Sequence, residues 1–273
     1  MSVKGKILGE RLEAGQFNEN TSEHLHRYAL ASALCEGKVA LDIACGDGYG
    51  SNLIAKKAKF ISGVDIDEPT VALAKEKYKL PNLEYKVGRA DKIPYDDNNF
   101  DIVISFETLE HHDKHNEMME EIKRVLKPGG VCLVSTPDKL IYSDKKDYKN
   151  PFHVKELYKE EFYSLLKEHF KKVSIFKQQF FSGSIITRDT IEENELSIFK
   201  GDFNSFEKSR EIEAEYLIGV ASDNEIDSVF TGTSIFIDPD FGKNKILQFQ
   251  NSSLRFKIGN FLLSPMKYLR KRK

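Results

Sequence analysis

The stretch that most constrains this chain is Lys38–Ser51, KVALDIACGDGYGS. Val39, Leu41 and Ile43 alternate as in a buried strand, and Asp42 places an acid near its end. Gly46, Gly48 and Gly50 then break the strand before helix-forming residues resume at Asn52. A strand feeding a glycine-rich turn into a helix brings backbone N–H groups against a nucleotide-like ligand. The next strand, FISGVDID, ends in Asp65, at the spacing where a βαβ nucleotide fold keeps its ribose-binding acid. The glycines run G-x-G-x-G rather than G-x-G-x-x-G, and an acid stands four residues before the first of them. That departs from the dinucleotide fingerprint and argues against a hydride-transfer enzyme.

The alternation of strand and helix continues. Asn52–Ala58 reads as a short helix, and Glu68–Tyr78 as another with Pro69 near its start. Leu83–Val87 and Phe100–Phe106 read as strands, the second an almost continuous apolar run suited to a strand covered on both faces. Asn116–Leu126 is amphipathic and is expected to stop at Lys127-Pro128-Gly129-Gly130, ahead of a strand at Val131–Ser135. Lys155–His169 reads as a helix, with Val173–Gln178 and Glu213–Ser222 as the strands that close the sheet. The expected fold is α/β, a Rossmann-like doubly wound, seven-stranded, mostly parallel sheet over residues 38–222, with a C-terminal extension. Residues 1–37 should supply an irregular arm and a cap helix, from Thr21 or Ser22 to near Gly37, that bears Arg27 and Tyr28 as packing or substrate-contacting residues. Residues 187–210 read as an acidic insertion with one or two short helices, and 223–273 as the extension, with a strand at Val229–Ile237.

Composition narrows the function. A chain of 273 residues buries one large core, and a net charge of −2 gives no reason to expect a nucleic-acid partner. Cys35, Cys45 and Cys132 are scattered and lack metal-ligand spacing, which suits a reducing cytoplasm. No signal peptide opens the sequence, and no apolar run reaches the length of a membrane span. The end of the chain, Leu254–Lys273, has a helical apolar face broken by Pro265 and finishes LRKRK. It is either a peripheral contact with an anionic membrane or a solvated terminus.

Four segments in order, DIACGDGYG, GVDID, GRADKIPYDDNNFDIVISFETLEH and LKPGGVCLVSTPD, resemble the motif set of class I S-adenosylmethionine (SAM)-dependent methyltransferases. They resemble the UbiE/type-11 methyltransferase domain, over roughly Lys38 to Asp138. The resemblance implies SAM as cofactor, with Asp42, Ala44, Gly46 and Gly48 around the methionine end and Asp65 on the ribose hydroxyls. It further implies Ile66 beside the adenine, Ala90 and Asp91 at the adenine amino edge, and Phe106 at the end of the fourth strand.

The acceptor side is more open. Methyl transfer from a sulfonium is an in-line displacement, so the protein's work is to position the reactants and exclude water. Glu107, Glu110, His111 and His112 follow the fourth strand at the end that faces the ligand crevice. His111 and His153 are the candidate proton acceptors for a hydroxyl substrate. His111 and His115 stand at i, i+4, but without a third ligand no metal site is expected. His153 lies in NPFHVKEL, after a loop long enough to fold over the acceptor. That segment, with HLHRY ahead of the glycine motif, is similar to methyltransferases of bacterial surface-polysaccharide assembly, which implies a sugar or glycan hydroxyl as acceptor. A quinone-like or other lipid-soluble acceptor and a non-catalytic SAM-binding module are the alternatives, and the oligomeric state stays open.

Overall fold

The computed structural model describes residues 19–181, 198–201, 205–209, 213–226 and 233–236. The element order is α1 (Glu19–Leu34), β1 (Val39–Ile43), α2 (Tyr49–Ala55), β2 (Phe60–Asp65), α3 (Glu68–Lys77), β3 (Leu83–Val87) and β4 (Phe100–Phe106). A 3-10 turn (Leu109–His111) leads to α4 (His115–Val125), β5 (Leu126–Pro137), α5 (Lys139–Tyr142), α6 (Lys159–His169) and β6 (Lys172–Gln178). Two short strands, β7 (Ile198–Gly201) and β8 (Phe206–Ser209), precede β9 (Tyr216–Ser222).

Seven strands form one sheet in the order β3-β2-β1-β4-β5-β9-β6. Neighbours from β3 to β5 run parallel, and β9 runs antiparallel to both β5 and β6. This is the Rossmann-like sheet that the alternation of elements predicts. Strand alternation splits the core into two layers. Leu41, Ile43, Val103, Cys132 and Val134 pack with α4 and α6, whereas Ala40, Ile102, Ile104 and Leu133 pack with α1 and α2. A one-residue slip of β1 would exchange Leu41 and Ile43 with Ala40 and Asp42. Burying each large aliphatic side chain contributes roughly 1.5–3 kcal/mol, so the register is firmly held.

Helix boundaries shift from their expected places. The helix begins at Tyr49, within the glycine run and so including Gly50, because Gly48 at φ +83° ends the turn there. Asp67 caps α3 by accepting the Thr70 N–H, with Pro69 in the first turn as expected. The expected break at Lys127–Gly130 is instead absorbed into β5, through a register shift opposite Phe100 and Ile102. Of the acidic insertion, residues 198–201 and 206–209 pair as the antiparallel strands β7 and β8, and the rest of the segment, for which short helices were expected, lies largely outside the described residues. Thr233–Phe236 carry no strand, and the rest of Val229–Ile237, the N-terminal arm before Glu19 and the basic tail lie outside the described residues. No helix among the described residues is long and apolar enough to cross a membrane. All three cysteines are free and buried.

The cap helix α1 is locked onto the glycine turn by one close approach. A Cβ on Gly50 would lie 2.0 Å from the Tyr28 ring, which itself meets Phe106 edge-on at 5.2 Å. Gly50→Ala should therefore expel Tyr28 and lower stability by about 1–3 kcal/mol. Thermal denaturation checks this, and an unchanged midpoint would mean that α1 is not seated through Tyr28.

Candidate active site

The strand order reverses between β1 and β4, and ligands of such sheets bind outside the carboxyl ends of the strands at that switch point. The first residues beyond β1 are bent sharply. Ala44, Gly46 and Gly48 all have positive φ, at 58°, 55° and 83°. Asp65, at the end of β2, braces this loop. Its carboxylate accepts the Gly46 N–H at 2.9 Å and the Asp67 N–H at 3.0 Å. The two glycines serve different ends. A Cβ on Gly46 would meet nothing within 4 Å, so open space borders the loop there, as a close-lying ligand requires. A Cβ on Gly48 would lie 2.7 Å from the Tyr85 ring, so this glycine is demanded by the protein's own packing.

Asp42 has no solvent exposure. Ser51 donates to it at 2.7 Å, and the Tyr28 hydroxyl lies 3.3 Å away. Burial pushes its carboxyl up to about 7, against the opposing hydrogen bonds from Ser51 and Tyr28 and with help from the charge of Asp65. Ile66 is exposed at the mouth of β2, while Ala90 packs against the core. Asp91 carries ion pairs to Arg89 and to Lys114, both at 2.7 Å, and their hydrogen bonds hold its carboxyl well below the usual range. Any adenine amino group would share that carboxylate with two cations. Phe106 is buried against Tyr28.

Beyond β4 the wall becomes polar. Glu107 adopts φ +51° and accepts from Ser135 Oγ. Arg27 of α1 is buried, donates to Gln178 Oε1 at 2.9 Å, lies 3.4 Å from Glu107 Oε1 and covers the Tyr216 ring at 5.0 Å. Its Nε has no hydrogen-bond partner. Burial raises the Glu23 carboxyl to about 7, although Arg27 opposes the shift. Glu110 is buried and receives the Thr136 hydroxyl at 3.2 Å. Desolvation, reinforced by the charge of Glu107, raises its pKa well above the ordinary value.

The structure brings His111 and His153 together, with ring centroids 5.3 Å apart. His111 Nδ1 donates to the Phe152 carbonyl at 3.1 Å. His153 Nδ1 pairs with Glu156 at 2.5 Å, Asn150 Nδ2 donates to its Nε2 at 3.0 Å, and its ring stacks on Tyr142. Glu110, His111 and His153 each offer a ligand atom within 4.8 Å of the others. His115 is not beside His111 as a ligand pair, because its Nε2 donates to the carbonyls of Leu109 and His112 and closes the turn. Glu23, Asn150, Glu156, Gln178 and Tyr216 escaped sequence reasoning. Only Asn150 and Glu156, three residues before and after His153, carried a local signal. A depression lined by Leu34, Lys38, Asp101 and Gly129 lies at the amino ends of the strands, at the opposite end of the sheet from Asp42, Asp65 and the histidine cluster.

The fold is that of the Rossmann-like class I methyltransferases, with its open loop at the carboxyl ends of β1 and β2. Residues 41–134 match the Methyltransferase domain family, whose donor is SAM. The chain is 37% identical over 164 residues to a Mycolicibacterium smegmatis protein named a probable S-adenosylmethionine-dependent methyltransferase, covering 59% of this chain and 63% of that one. It is 30% identical over 121 residues to a fatty-acid O-methyltransferase of the same organism, covering 41% and 44%. A solved SAM-dependent methyltransferase of Thermotoga maritima superposes with a TM-score of 0.54 at 16% identity, covering 76% of this chain and 91% of that one, a likeness of fold. The chain spans about three-fifths of the length of the first of these curated relatives.

The raised Asp42 pKa sets a pH dependence. The folded protein holds this proton up to about pH 7, whereas an unfolded aspartate releases it near 4. The associated stability is full below about 4 and is lost as pH rises through about 7. Asp42→Asn mimics the protonated form. Without ligand it should match the parent's melting temperature near pH 4, and the gap in its favour should widen as pH rises to about 7 and then hold to pH 8.5. A difference independent of pH would contradict the buried, proton-holding carboxyl.

Proposed function

We propose that this chain transfers the methyl group of SAM to a hydroxyl of a sugar or glycan intermediate. The observation that carries this reading is the composition of the wall facing the donor loop. Arg27, Glu107 and Glu110 stand there with the Tyr142 and Tyr216 rings and the two histidines. Charged hydrogen-bonding groups interleaved with aromatic faces suit an acceptor covered in hydroxyls, and suit an apolar chain poorly.

In this reading SAM lies along the carboxyl ends of β1 and β2. The Asp65 carboxylate, already fixed by Gly46 and Asp67, accepts the ribose hydroxyls, and Ile66 covers the adenine. Asp42, enclosed beneath Tyr28, acts on the methionine ammonium through the hydroxyl that caps it. The sulfonium is a leaving group that needs no acid, so the chain's task is alignment and exclusion of water. The acceptor proton departs at the His111–His153 cluster, which the segment from Asn150 to Glu156 holds against the end of β4.

A second reading, methylation of a lipid-soluble acceptor, draws support from the named activity of the fatty-acid O-methyltransferase relative. The two separate in one assay. The protein is incubated with SAM and, in parallel, nucleotide-sugars, oligosaccharides and palmitate, and both S-adenosylhomocysteine and methylated product are read by mass spectrometry. Turnover confined to sugar-bearing acceptors is expected, and turnover confined to palmitate would replace the first reading by the second. Asp65→Asn should weaken SAM binding at least tenfold by calorimetry, since it removes a charged acceptor worth about 1.5–3 kcal/mol. An unchanged affinity would remove the ribose assignment.

A further inference from the structure

The sequence offers His111 and His115 as a helical pair with no third ligand, and the fold dissolves that pair. In its place it assembles a different set from two distant segments. Glu110 and His111 come from the turn after β4, and His153 from the loop before α6. We propose that Glu110, His111 and His153 bind a divalent transition-metal cation of zinc type at the acceptor end of the crevice.

Three features beyond proximity carry this. Each histidine has its Nδ1 held by an outer acceptor, the Phe152 carbonyl for His111 and the Glu156 carboxylate for His153. Metal-binding histidines nearly always show this arrangement, because it fixes the tautomer, orients the ring and leaves Nε2 as the ligand atom. His111 Nε2 lies 4.0 Å from Glu110 Oε1, so the two face each other. The Glu110 carboxylate is buried, and the His111 imidazole lies at its edge. A buried carboxylate is costly unless paired or coordinated to a metal. The two segments are also bound to one another, because the Glu110 carbonyl accepts the N–H groups of both Val154 and Lys155. The ligands are thus preorganised by backbone bonds that do not depend on a cation.

Two imidazoles and one carboxylate are the donors of zinc sites that keep an open position. Nitrogen donors favour Zn²⁺ over Mg²⁺ or Ca²⁺, which prefer all-oxygen shells. In tetrahedral zinc the ligand atoms lie about 3.3 Å apart, so spacings within 4.8 Å close by side-chain rotation. Asn150 Nδ2, now at His153 Nε2, is the group that the cation would displace. The chemical consequence rests on the proposed hydroxyl transfer. With a cation bound, coordination would take over the part given above to the two histidines: it would lower the pKa of the acceptor hydroxyl, and the proton would leave to water. Cation binding itself needs no acceptor to be measured.

The test uses the untagged full chain, stripped with a chelator and dialysed, then titrated with ZnCl₂ and with MgCl₂ by calorimetry. Metal content after gel filtration and the visible spectrum of the Co²⁺ form provide independent readouts. One equivalent of Zn²⁺ at micromolar affinity or tighter is expected, with no heat from Mg²⁺. Binding should weaken at least tenfold in His111→Ala, whose half-exposed side chain can be removed without opening the core, and in Glu110→Gln. It should be unaffected in the control His169→Ala. Absence of zinc binding, equal binding of Mg²⁺, or binding indifferent to His111→Ala would overturn the proposal. Zinc binding together with a silent sugar panel would leave the site standing and remove the sugar assignment.

Discussion

The carboxylate of Asp65 ties together the two strand ends on which the donor site depends. It accepts one N–H from the loop after β1 and another from the start of the turn into α3. Charge-assisted hydrogen bonds of this kind are stronger than neutral ones, and here they hold backbone in the left-handed region at Ala44, Gly46 and Gly48. Without that brace the loop after β1 would lose a side-chain anchor to β2, and the open space beside Gly46 would have no fixed edge. A parallel sheet covered on both faces leaves its strand ends as the place where polar groups can gather, so the whole site sits there.

The cap helix is part of that site rather than a cover laid on it. Tyr28 reaches Asp42, packs on Phe106 and fills the space that Gly50 leaves open. One position earlier, Arg27 carries a buried positive charge to Glu107, Gln178 and Tyr216, joining α1 to β4, β6 and β9. Its unpartnered Nε is an expense that folding alone does not explain, since an unsatisfied buried donor costs about 1–3 kcal/mol. An acceptor hydroxyl or water at that edge would supply the missing bond. Burial likewise holds Glu23, Asp42 and Glu110 toward their neutral forms, so this end of the sheet gives up stability to keep ionisable groups in place.

Much of the fold was legible in the sequence. Val39–Ile43, Phe60–Asp65, Leu83–Val87 and Phe100–Phe106 read as strands and are strands, because apolar runs of this length bounded by turn residues have few other solutions. The readings that failed share a cause. Lys127-Pro128-Gly129-Gly130 has the composition of a stop, yet pairing with β4 and a register shift carry the strand through it. The polar stretch around Ile198–Ser209 offers no clear period, and the strand pairing there is a tertiary event. A Cβ on Gly48 would meet the Tyr85 ring, a packing demand from β3 that no local spacing announces.

The sequence by itself determined the sheet and the donor loop, because alternation, glycine spacing and strand-end acids act between near neighbours and are written in local order. Only the tertiary structure decided which acids lie buried, which glycine faces open space, and that His111 meets His153 and Glu110 rather than His115. Those contacts join segments some 40 residues apart, as between His111 and Phe152. No residue spacing encodes such a meeting, since it depends on how the sheet closes and where the loop before α6 is pinned.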